Sequence, residues 1–348
     1  MHRLLWFGLL FGAALQVCAQ GMAAPWTSRL YYTGTVGTLP VQMTLAFEHA
    51  KIHGSYWYER VPTHYADNLL RDTLSLTGTL KNGAATLAEK TPDDKPSGTL
   101  HLTLDGKLET ITGTWQDVTK KKTLPVALHA VARFEKAHVV LKKIHTTTDV
   151  WYPQFLAPSV PAALNSTIAK GTKGKAAVFI AQTPKGTKGE EPDWLKDHTF
   201  SLIYNIDIAW YSPRLISLLV LDFEDTGGMH PNTEWYTFNY AVTAKGFTRL
   251  KYTDLFTADS RKDIATFIDT KAQTARRQRM GGYCDPDETH VTPNLLDDFL
   301  LTPTAVVFIF SRYAIGAYAE GDYFIAVPYK ELAPFIKADG PLGRFLKS

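Results

Sequence analysis

Hydrophobic residues alternate with other residues through much of the first third of the chain, as at positions 41–47 and 100–104. A period of two residues predicts β-strands with one buried face. Eight strands are predicted in this region, at residues 30–34, 41–48, 51–58, 73–80, 84–89, 98–104, 110–116 and 123–130. Helical periodicity is almost absent. Because closure removes exposed strand edges, we predict an antiparallel β-barrel or a strongly curved sheet over residues 28–133.

Aromatic residues in this barrel region are open to two interpretations. Such side chains can line a ligand cavity, or they can fill the barrel and cover its surface. Small barrels are normally filled by their own side chains, which favours the second interpretation. The residues concerned are Tyr56, Trp57, Tyr58 and Trp115.

The pattern changes after a predicted joint at residues 134–140, and helices join the strands. Residues 138–340 are therefore predicted to form an α+β domain, in which helices gather at the ends of an antiparallel sheet. Predicted strands lie at 139–145, 200–211, 215–223, 235–242, 248–251, 304–310 and 323–327. Predicted helices lie at 160–170, 261–279 (capped by Ser260), 294–300 and 329–336. Residues 170–175 and 183–193 are rich in Gly, Lys, Pro and Glu, which predicts loops.

The first residues have the pattern of a secretory signal peptide over residues 1–19. Arg3 precedes an apolar run at 4–15 that is too short for a transmembrane helix, and Val17 and Ala19 suit a cleavage site. The alternative is a lipid anchor on Cys18, but Val17 fits that motif poorly. We therefore expect a periplasmic or secreted protein, with no transmembrane helix in the mature chain.

Composition excludes some classes of protein. The chain of 348 residues is 45% hydrophobic and 20% charged, with a formal net charge of +3, which is typical of a globular protein of about two domains. A nearly neutral balance gives no support for nucleic-acid binding. After signal removal Cys284 is the remaining cysteine of the two, so no disulfide within the chain is expected.

Several segments of the second domain resemble a known family, and they occur in the family's order over residues 138–338. The central motif combines the Gly227-Gly228-Met229-His230 turn with Phe238-Asn239-Tyr240, although the family usually has Ala at the position of Met229. The other segments are Tyr152-Pro153 with Ala163-Leu164-Asn165, Leu250 with Tyr252-Thr253-Asp254-Leu255-Phe256, Leu301-Thr302-Pro303, the run 313–321, and Val327-Pro328-Tyr329.

This series resembles the RsiV-like family of extracytoplasmic domains. The family occurs at the C-terminal end of lysozyme-responsive anti-sigma factors and beside some peptidoglycan deacetylases. The resemblance implies a free-standing periplasmic or secreted member, with a lysozyme-type protein or peptidoglycan as the partner. It does not extend to the first domain.

The glycine-histidine turn contains the main candidate for a functional residue, His230, and Asn232 could share a ligand contact. Asp222, Glu224 and Asp225 could orient the imidazole. Catalysis would also need a nucleophile or an activated water within reach of His230, and no hydrolase motif accompanies it. The alternatives are a surface for recognition, or a histidine that only ties the turn to a strand.

Two further groups of residues have candidate chemistry. Tyr313 and Tyr318, near Gly316 and Gly321, could contact sugar or protein as exposed aromatics, or they could pack on the sheet. Cys284 and His290 could belong to a metal loop, but one thiolate and one imidazole do not make a zinc site. No metal or cofactor is therefore expected.

Three functions remain open from the sequence. The first is a binding or sensing protein for a cell-wall glycan or a lysozyme-type protein, with His230, Asn232, Tyr313 and Tyr318 as binding residues. The second is a non-catalytic structural protein of the envelope. The third is an envelope polymer hydrolase or a deacetylase-like enzyme that uses His230 as a base.

Overall fold

A computed structural model describes residues 28–59, 73–141, 146–183, 199–243, 245–281 and 289–346. The strand order within the described residues runs from β1 to β13 without a break, and a separate three-stranded sheet contains β14, β15 and β16. The predicted signal peptide, Cys18 and Cys284 lie outside the described residues. Among the helices of the described residues, none has the length and hydrophobicity of a membrane span.

The N-terminal region is an eight-stranded antiparallel barrel, which confirms the predicted fold class of this region. Each strand pairs with the next, and β1 also pairs with β8, so the sheet closes on itself. The strands are β1 (Ser28–Val36), β2 (Leu39–Glu48), β3 (Lys51–Tyr58), β4 (Leu74–Lys81), β5 (Ala84–Lys90), β6 (Pro96–Leu104), β7 (Thr110–Asp117) and β8 (Thr123–Leu141). All eight predicted strands are present, because the alternating pattern matches a sheet with one buried face.

Side chains fill the barrel, as the second interpretation of its aromatic residues predicted. Tyr56 is completely buried among aliphatic residues, and its hydroxyl donates a hydrogen bond to the buried Glu89. The indole Nε1 of Trp115 donates to the same Glu89 carboxylate at 2.8 Å. Trp57 instead packs against the core of the C-terminal region. These aromatic residues are thus part of the packing of the protein.

Strand β8 continues beyond the barrel and carries the same sheet on into strands β9 to β13, a part here called the second sheet. The predicted joint at residues 134–140 lies inside this 19-residue strand. Beyond the barrel, β8 pairs with β9 (Thr146–Phe155), and β9 pairs in parallel with β10 (Phe200–Tyr211). Antiparallel pairing then continues through β11 (Leu215–Asp225), β12 (Asn232–Thr243) and β13 (Gly246–Arg249).

Helix α1 (Ala162–Gln182) packs on this second sheet, and it is longer than the predicted helix at 160–170. The prediction of a loop at 170–175 is wrong. Gly171 and Gly174 do weaken helix propensity there, but burial of one helix face overrides that preference. The buried face consists of Leu164, Ile168, Thr172, Ala176 and Phe179, which are spaced three or four residues apart.

The side chain of Gln42 connects the barrel to the second sheet. Gln42 lies on β2 and is completely buried. Its amide Nε2 donates to the carbonyl oxygen of Tyr211 at 2.8 Å, and its Oε1 accepts from the Tyr211 backbone N–H at 2.9 Å. The carboxamide therefore pairs with the end of β10 as a neighbouring backbone would, and it satisfies two buried polar groups.

The separate small sheet contains β14 (Phe299–Leu301), β15 (Ala305–Phe310) and β16 (Tyr323–Pro328). It is covered by helix α3 (Arg261–Arg279). Short helices α2 (Tyr252–Leu255) and α4 (Tyr329–Leu332) flank it. Helix α3 matches its predicted bounds, but the hydroxyl of Ser260 donates to the Thr257 carbonyl and does not cap the helix.

Two other helix predictions in this region need correction. The helix predicted at 294–300 is a short 3₁₀ turn followed by β14. The backbone of β14 is held by buried side chains of the second sheet, since Asn239 donates to the Phe299 carbonyl at 2.6 Å and Ser217 accepts from the Leu301 N–H at 2.9 Å. The helix predicted at 329–336 ends at Leu332, the last residue of α4.

Candidate functional site

The turn between β11 and β12, at residues 226–231, is exposed to solvent. Gly227 has a φ of +79°, which glycine adopts at no steric cost, and its N–H donates to the Asp225 carboxylate at 3.1 Å. Met229 is fully exposed, and a Cβ added at Gly228 would meet only one atom within 4 Å, the carbonyl oxygen of His230 at 3.8 Å. The turn therefore projects into open solvent.

A second turn, at residues 311–322 between β15 and β16, lies beside the first. It contributes Tyr313, whose side chain is 62% exposed and whose backbone has a φ of +68°. It also contributes the half-buried Tyr318, whose hydroxyl donates to the Pro231 carbonyl at 3.0 Å. The two turns are thus joined by a direct hydrogen bond.

Three of the four predicted binding residues form one group, here called the aromatic cluster: His230, Tyr313 and Tyr318. The imidazole of His230 stacks on the Tyr318 ring, with centroids 4.1 Å apart and an interplanar angle of 28°. The Tyr313 ring lies 5.5 Å from the Tyr318 ring and 6.5 Å from the imidazole, centroid to centroid. Such offset and tilted arrangements are favourable for aromatic pairs.

The hydrogen bonds of His230 indicate the tautomer of its ring. Nδ1 lies 3.0 Å from the carbonyl oxygen of Pro231, which can only accept, so Nδ1 carries the proton. In the neutral ring Nε2 is then an acceptor, and it lies 3.5 Å from the hydroxyl of Tyr313. The ring is therefore oriented by a backbone carbonyl and two tyrosines.

The carboxylates that could have oriented His230 have other partners. Asp222 and Glu224 form ion pairs with Lys175 of helix α1, at 2.5 and 2.7 Å. Burial raises the pKa of Asp222, although its ion pair with Lys175 opposes the shift. Burial also lowers the pKa of Lys175, but the hydrogen bonds to the two carboxylates outweigh it and raise the pKa overall. These residues form a structural contact between α1 and the sheet.

Asn232 does not join the aromatic cluster. It lies two residues before Glu234 on β12, and its Nδ2 donates to the Glu234 carboxylate at 3.1 Å. Thr233, on the opposite face of the strand, contacts the arginine beside Tyr318. Because successive side chains of a strand alternate between faces, Asn232 points away from that arginine.

That arginine, Arg312, supports the cluster and was not predicted from the sequence. Its Nη1 donates to the Tyr318 hydroxyl at 2.7 Å, and its guanidinium lies 4.7 Å from the centre of the Tyr318 ring. Its backbone N–H donates to Asp322, which also accepts from the indole of Trp235 at 2.9 Å. The one indication of this role in the sequence is that Arg312 directly precedes Tyr313, a predicted binding residue.

A buried ion pair fixes the turn that carries the two tyrosines. The Nε and Nη2 atoms of Arg276 on helix α3 donate to the two carboxylate oxygens of Glu320, at 2.9 and 3.0 Å. Arg276 is completely buried and Glu320 nearly so. The guanidinium holds the pKa of Glu320 at about 2. The Ala317 N–H and the Tyr323 hydroxyl donate to the same carboxylate.

The segment considered as a possible metal loop, Cys284 to His290, is described only in part. His290 lies within the described residues, and its Nδ1 is 2.8 Å from the Asp269 carboxylate. Across the part of the chain that the structure describes, no three His, Cys, Asp or Glu residues are grouped as metal ligands.

Comparisons with known proteins assign a family only to the C-terminal part. The family model described as "Protein of unknown function (DUF3298)" matches residues 253–330, which include Tyr313, Tyr318 and the Arg276–Glu320 pair but not His230. No curated protein matches the chain.

Two solved structures from the same family are similar to this chain. A DUF3298 protein from Bacteroides fragilis is 14% identical, with a TM-score of 0.43, over 62% of this chain and 98% of that one. One from Pseudomonas aeruginosa is 16% identical, with a TM-score of 0.38, over 59% of this chain and 94% of that one. The family match of this chain is thus the one given by the family model, at residues 253–330.

Proposed function

We propose that the chain is an envelope binding protein in which the aromatic cluster and Met229 recognise a lysozyme-type protein. The proposal rests on the backbone conformation and the solvent exposure of Tyr313. Tyr313 has a φ of +68° and leaves 62% of its surface in solvent. A left-handed backbone costs most residues about 1–2 kcal/mol, and only Gly, Asn and Asp adopt it routinely. Backbone strain of this kind clusters at functional sites, and at Tyr313 it presents an aromatic side chain to solvent.

The shape of the surface favours a protein partner. Met229 and Tyr313 are two of the largest exposed apolar side chains in the described part of the chain, and both lie beside His230 or in contact with it. Tyr and Met are enriched in the buried centres of protein interfaces. A projecting turn also suits insertion into a cleft on another protein. A cell-wall glycan is the alternative ligand, because a sugar ring could stack on the same aromatic faces.

The sequence supports the compartment and the class of partner. The pattern of residues 1–19 favours export, so a periplasmic or secreted location is part of the proposal. The resemblance of residues 138–338 to the RsiV-like family makes a lysozyme-type protein the first partner to test, with peptidoglycan second. The fixed position of the cluster, tied to helix α3 through Glu320, lowers the entropy lost on binding.

Isothermal titration calorimetry with the purified chain tests the proposal. A C-type lysozyme and soluble peptidoglycan fragments are titrated separately into the native chain and into Met229→Ala, Tyr313→Ala and Val178→Ala variants. Val178 is the control, since its side chain is 52% exposed on helix α1 and is not a member of the cluster. We expect saturable lysozyme binding that weakens by a factor of about ten or more, or about 1.4 kcal/mol, in Met229→Ala and Tyr313→Ala only.

Two results would contradict the proposal. One is the absence of measurable binding to either ligand. The other is binding that the Met229 and Tyr313 variants leave unchanged. Binding of peptidoglycan fragments with loss in the same variants would replace the protein partner by the glycan.

A further inference from the structure

A groove runs between helix α3 and the outer edge of strand β16, and it encloses about 350 Å³. One wall is formed by a face of the helix that includes Thr270, Thr274 and Gln278, and the other by residues of β16. None of the lining residues belongs to the aromatic cluster. The groove is thus a second surface, independent of the function proposed above.

The register of the small sheet shows which backbone groups of β16 face this groove. The Tyr329 N–H donates to the Thr304 carbonyl, and the Ile309 N–H donates to the Asp298 carbonyl. Hydrogen-bonded and non-hydrogen-bonded pairs alternate along an antiparallel ladder, so Tyr323, Ile325 and Val327 direct their backbone groups towards β15. The backbone groups of Phe324 and Ala326, and the carbonyl of Pro328, therefore point to the opposite edge.

That edge has no strand partner among the described residues. The small sheet has the order β14-β15-β16, so β16 is its outer strand. Proteins usually protect such edges by keeping them short or by placing proline there. Pro328 provides this protection at one end only, because the N–H groups of Phe324 and Ala326 remain as donors. Two donors and three acceptors in a row are complementary to another extended backbone.

The charges of the groove limit the occupant further. Its two charged lining residues, Lys271 and Glu331, form an ion pair with each other at 2.8 Å. The remaining polar side chains on the helix wall are hydroxyls and an amide, which are uncharged. A charged ligand would therefore meet no free counter-charge, whereas the backbone of a neutral peptide can replace its lost hydration by hydrogen bonds to the strand edge.

We propose that this groove binds an extended, uncharged peptide segment of a partner protein, which adds to β16 as a fourth strand. Main-chain hydrogen bonds to Phe324 and Ala326 supply affinity, as is usual in β-strand addition. The side chains of helix α3 that line the groove then determine which side chains of the bound peptide fit. The six residues of β16 span about 20 Å at 3.3 Å per residue, so a segment of similar length fills the edge.

Selection of phage-displayed random linear peptides on the full chain tests this inference. Enriched peptides are synthesised, and their affinities are measured for the native chain, for Thr274→Trp and for Thr266→Trp. Both threonines are exposed on α3, but only Thr274 lines the groove, so Thr266→Trp is a matched control for the added indole. Amide hydrogen exchange of the native chain is measured with and without peptide.

We expect enriched peptides without charged residues in their central part. Their affinity should fall by a factor of about ten or more in Thr274→Trp and stay unchanged in Thr266→Trp. Exchange at the Phe324 and Ala326 amides should slow on binding. Failure to enrich any peptide, equal affinity for Thr274→Trp and the native chain, or protection confined to residues 228–233 would each overturn the inference.

Discussion

The imidazole of His230 stacks on the ring of Tyr318, with centroids 4.1 Å apart, so two distant turns of the chain form one surface. The stack is held from both sides, by the Tyr318 hydroxyl on the Pro231 carbonyl and by Arg312 on Tyr318. Tyr313 extends the surface into solvent. This contact is the basis for treating the turns as a recognition surface.

The strained backbone of Tyr313 predicts a conflict between stability and binding. Asn adopts a left-handed backbone more readily than Tyr does. We expect Tyr313→Asn to raise the free energy of unfolding by about 0.5–1 kcal/mol, since relief of strain exceeds the loss of weak ring contacts. Urea unfolding measures this change. A loss of stability would show that the Tyr313 ring serves packing instead of recognition.

The buried ion pair predicts a large effect for Glu320→Gln. The substitution leaves the guanidinium of Arg276 buried without its counter-charge, which typically costs about 3–5 kcal/mol. Urea unfolding at pH 7 should therefore show a clear shift in midpoint. Asp94→Asn is the control, because Asp94 pairs with Lys90 on the surface of the barrel, and its removal should leave the midpoint unchanged within error.

The same carboxylate predicts a dependence of stability on pH. The hydrogen bonds from Arg276 lower the pKa of Glu320 from 4.5 to about 2 in the folded chain. A lowered pKa means that this contribution is complete above pH 4.5 and is lost as the pH falls towards 2. The difference in free energy of unfolding between the native chain and Glu320→Gln should thus be constant from pH 7 to 5 and shrink below 4.5. A difference that stays constant down to pH 3 would contradict this assignment.

The contact between Gln42 and Tyr211 predicts that the barrel and the second sheet stabilise each other. Gln42→Leu leaves the N–H and the carbonyl of Tyr211 without their partner, at about 1–3 kcal/mol for each buried group. We expect a loss of about 2–6 kcal/mol in the free energy of unfolding. Thr33→Val is the control, because the Thr33 hydroxyl lies 3.1 Å from the Nε2 of His129 in an exposed part of the barrel. Equal effects of the two substitutions would refute the coupling.

The sequence predicted helices and strands well where the periodicity of hydrophobic residues determines them. The eight barrel strands follow from alternation at positions such as 41–47, and the bounds of helix α3 follow from its apolar spacing. Helix α1 was predicted too short because Gly171 and Gly174 suggest a loop, whereas burial of Thr172, Ala176 and Phe179 against the sheet decides the outcome. Strand β14 was missed for a similar reason, since Asn239 and Ser217 hold its backbone from another sheet.

The candidate site was predicted as separate residues, and the fold brings most of them together. Nothing in the local sequence of Tyr318 indicates that it stacks on His230, because the contact depends on how the small sheet packs on the second one. Asn232 is the exception among the four. It follows His230 closely in the chain, but the alternation of β12 turns its side chain towards Glu234. Arg312 and Glu320 were missed because their roles depend on partners distant in sequence.

The most direct test of the recognition surface is an NMR titration that follows the histidine side chains of the native chain as a C-type lysozyme is added. His129, which contacts Thr33 on the barrel, is the internal reference. The account predicts that the imidazole signal of His230 shifts or broadens in proportion to lysozyme bound, while the signal of His129 stays in place. Saturable binding that leaves the His230 signal unchanged would contradict it.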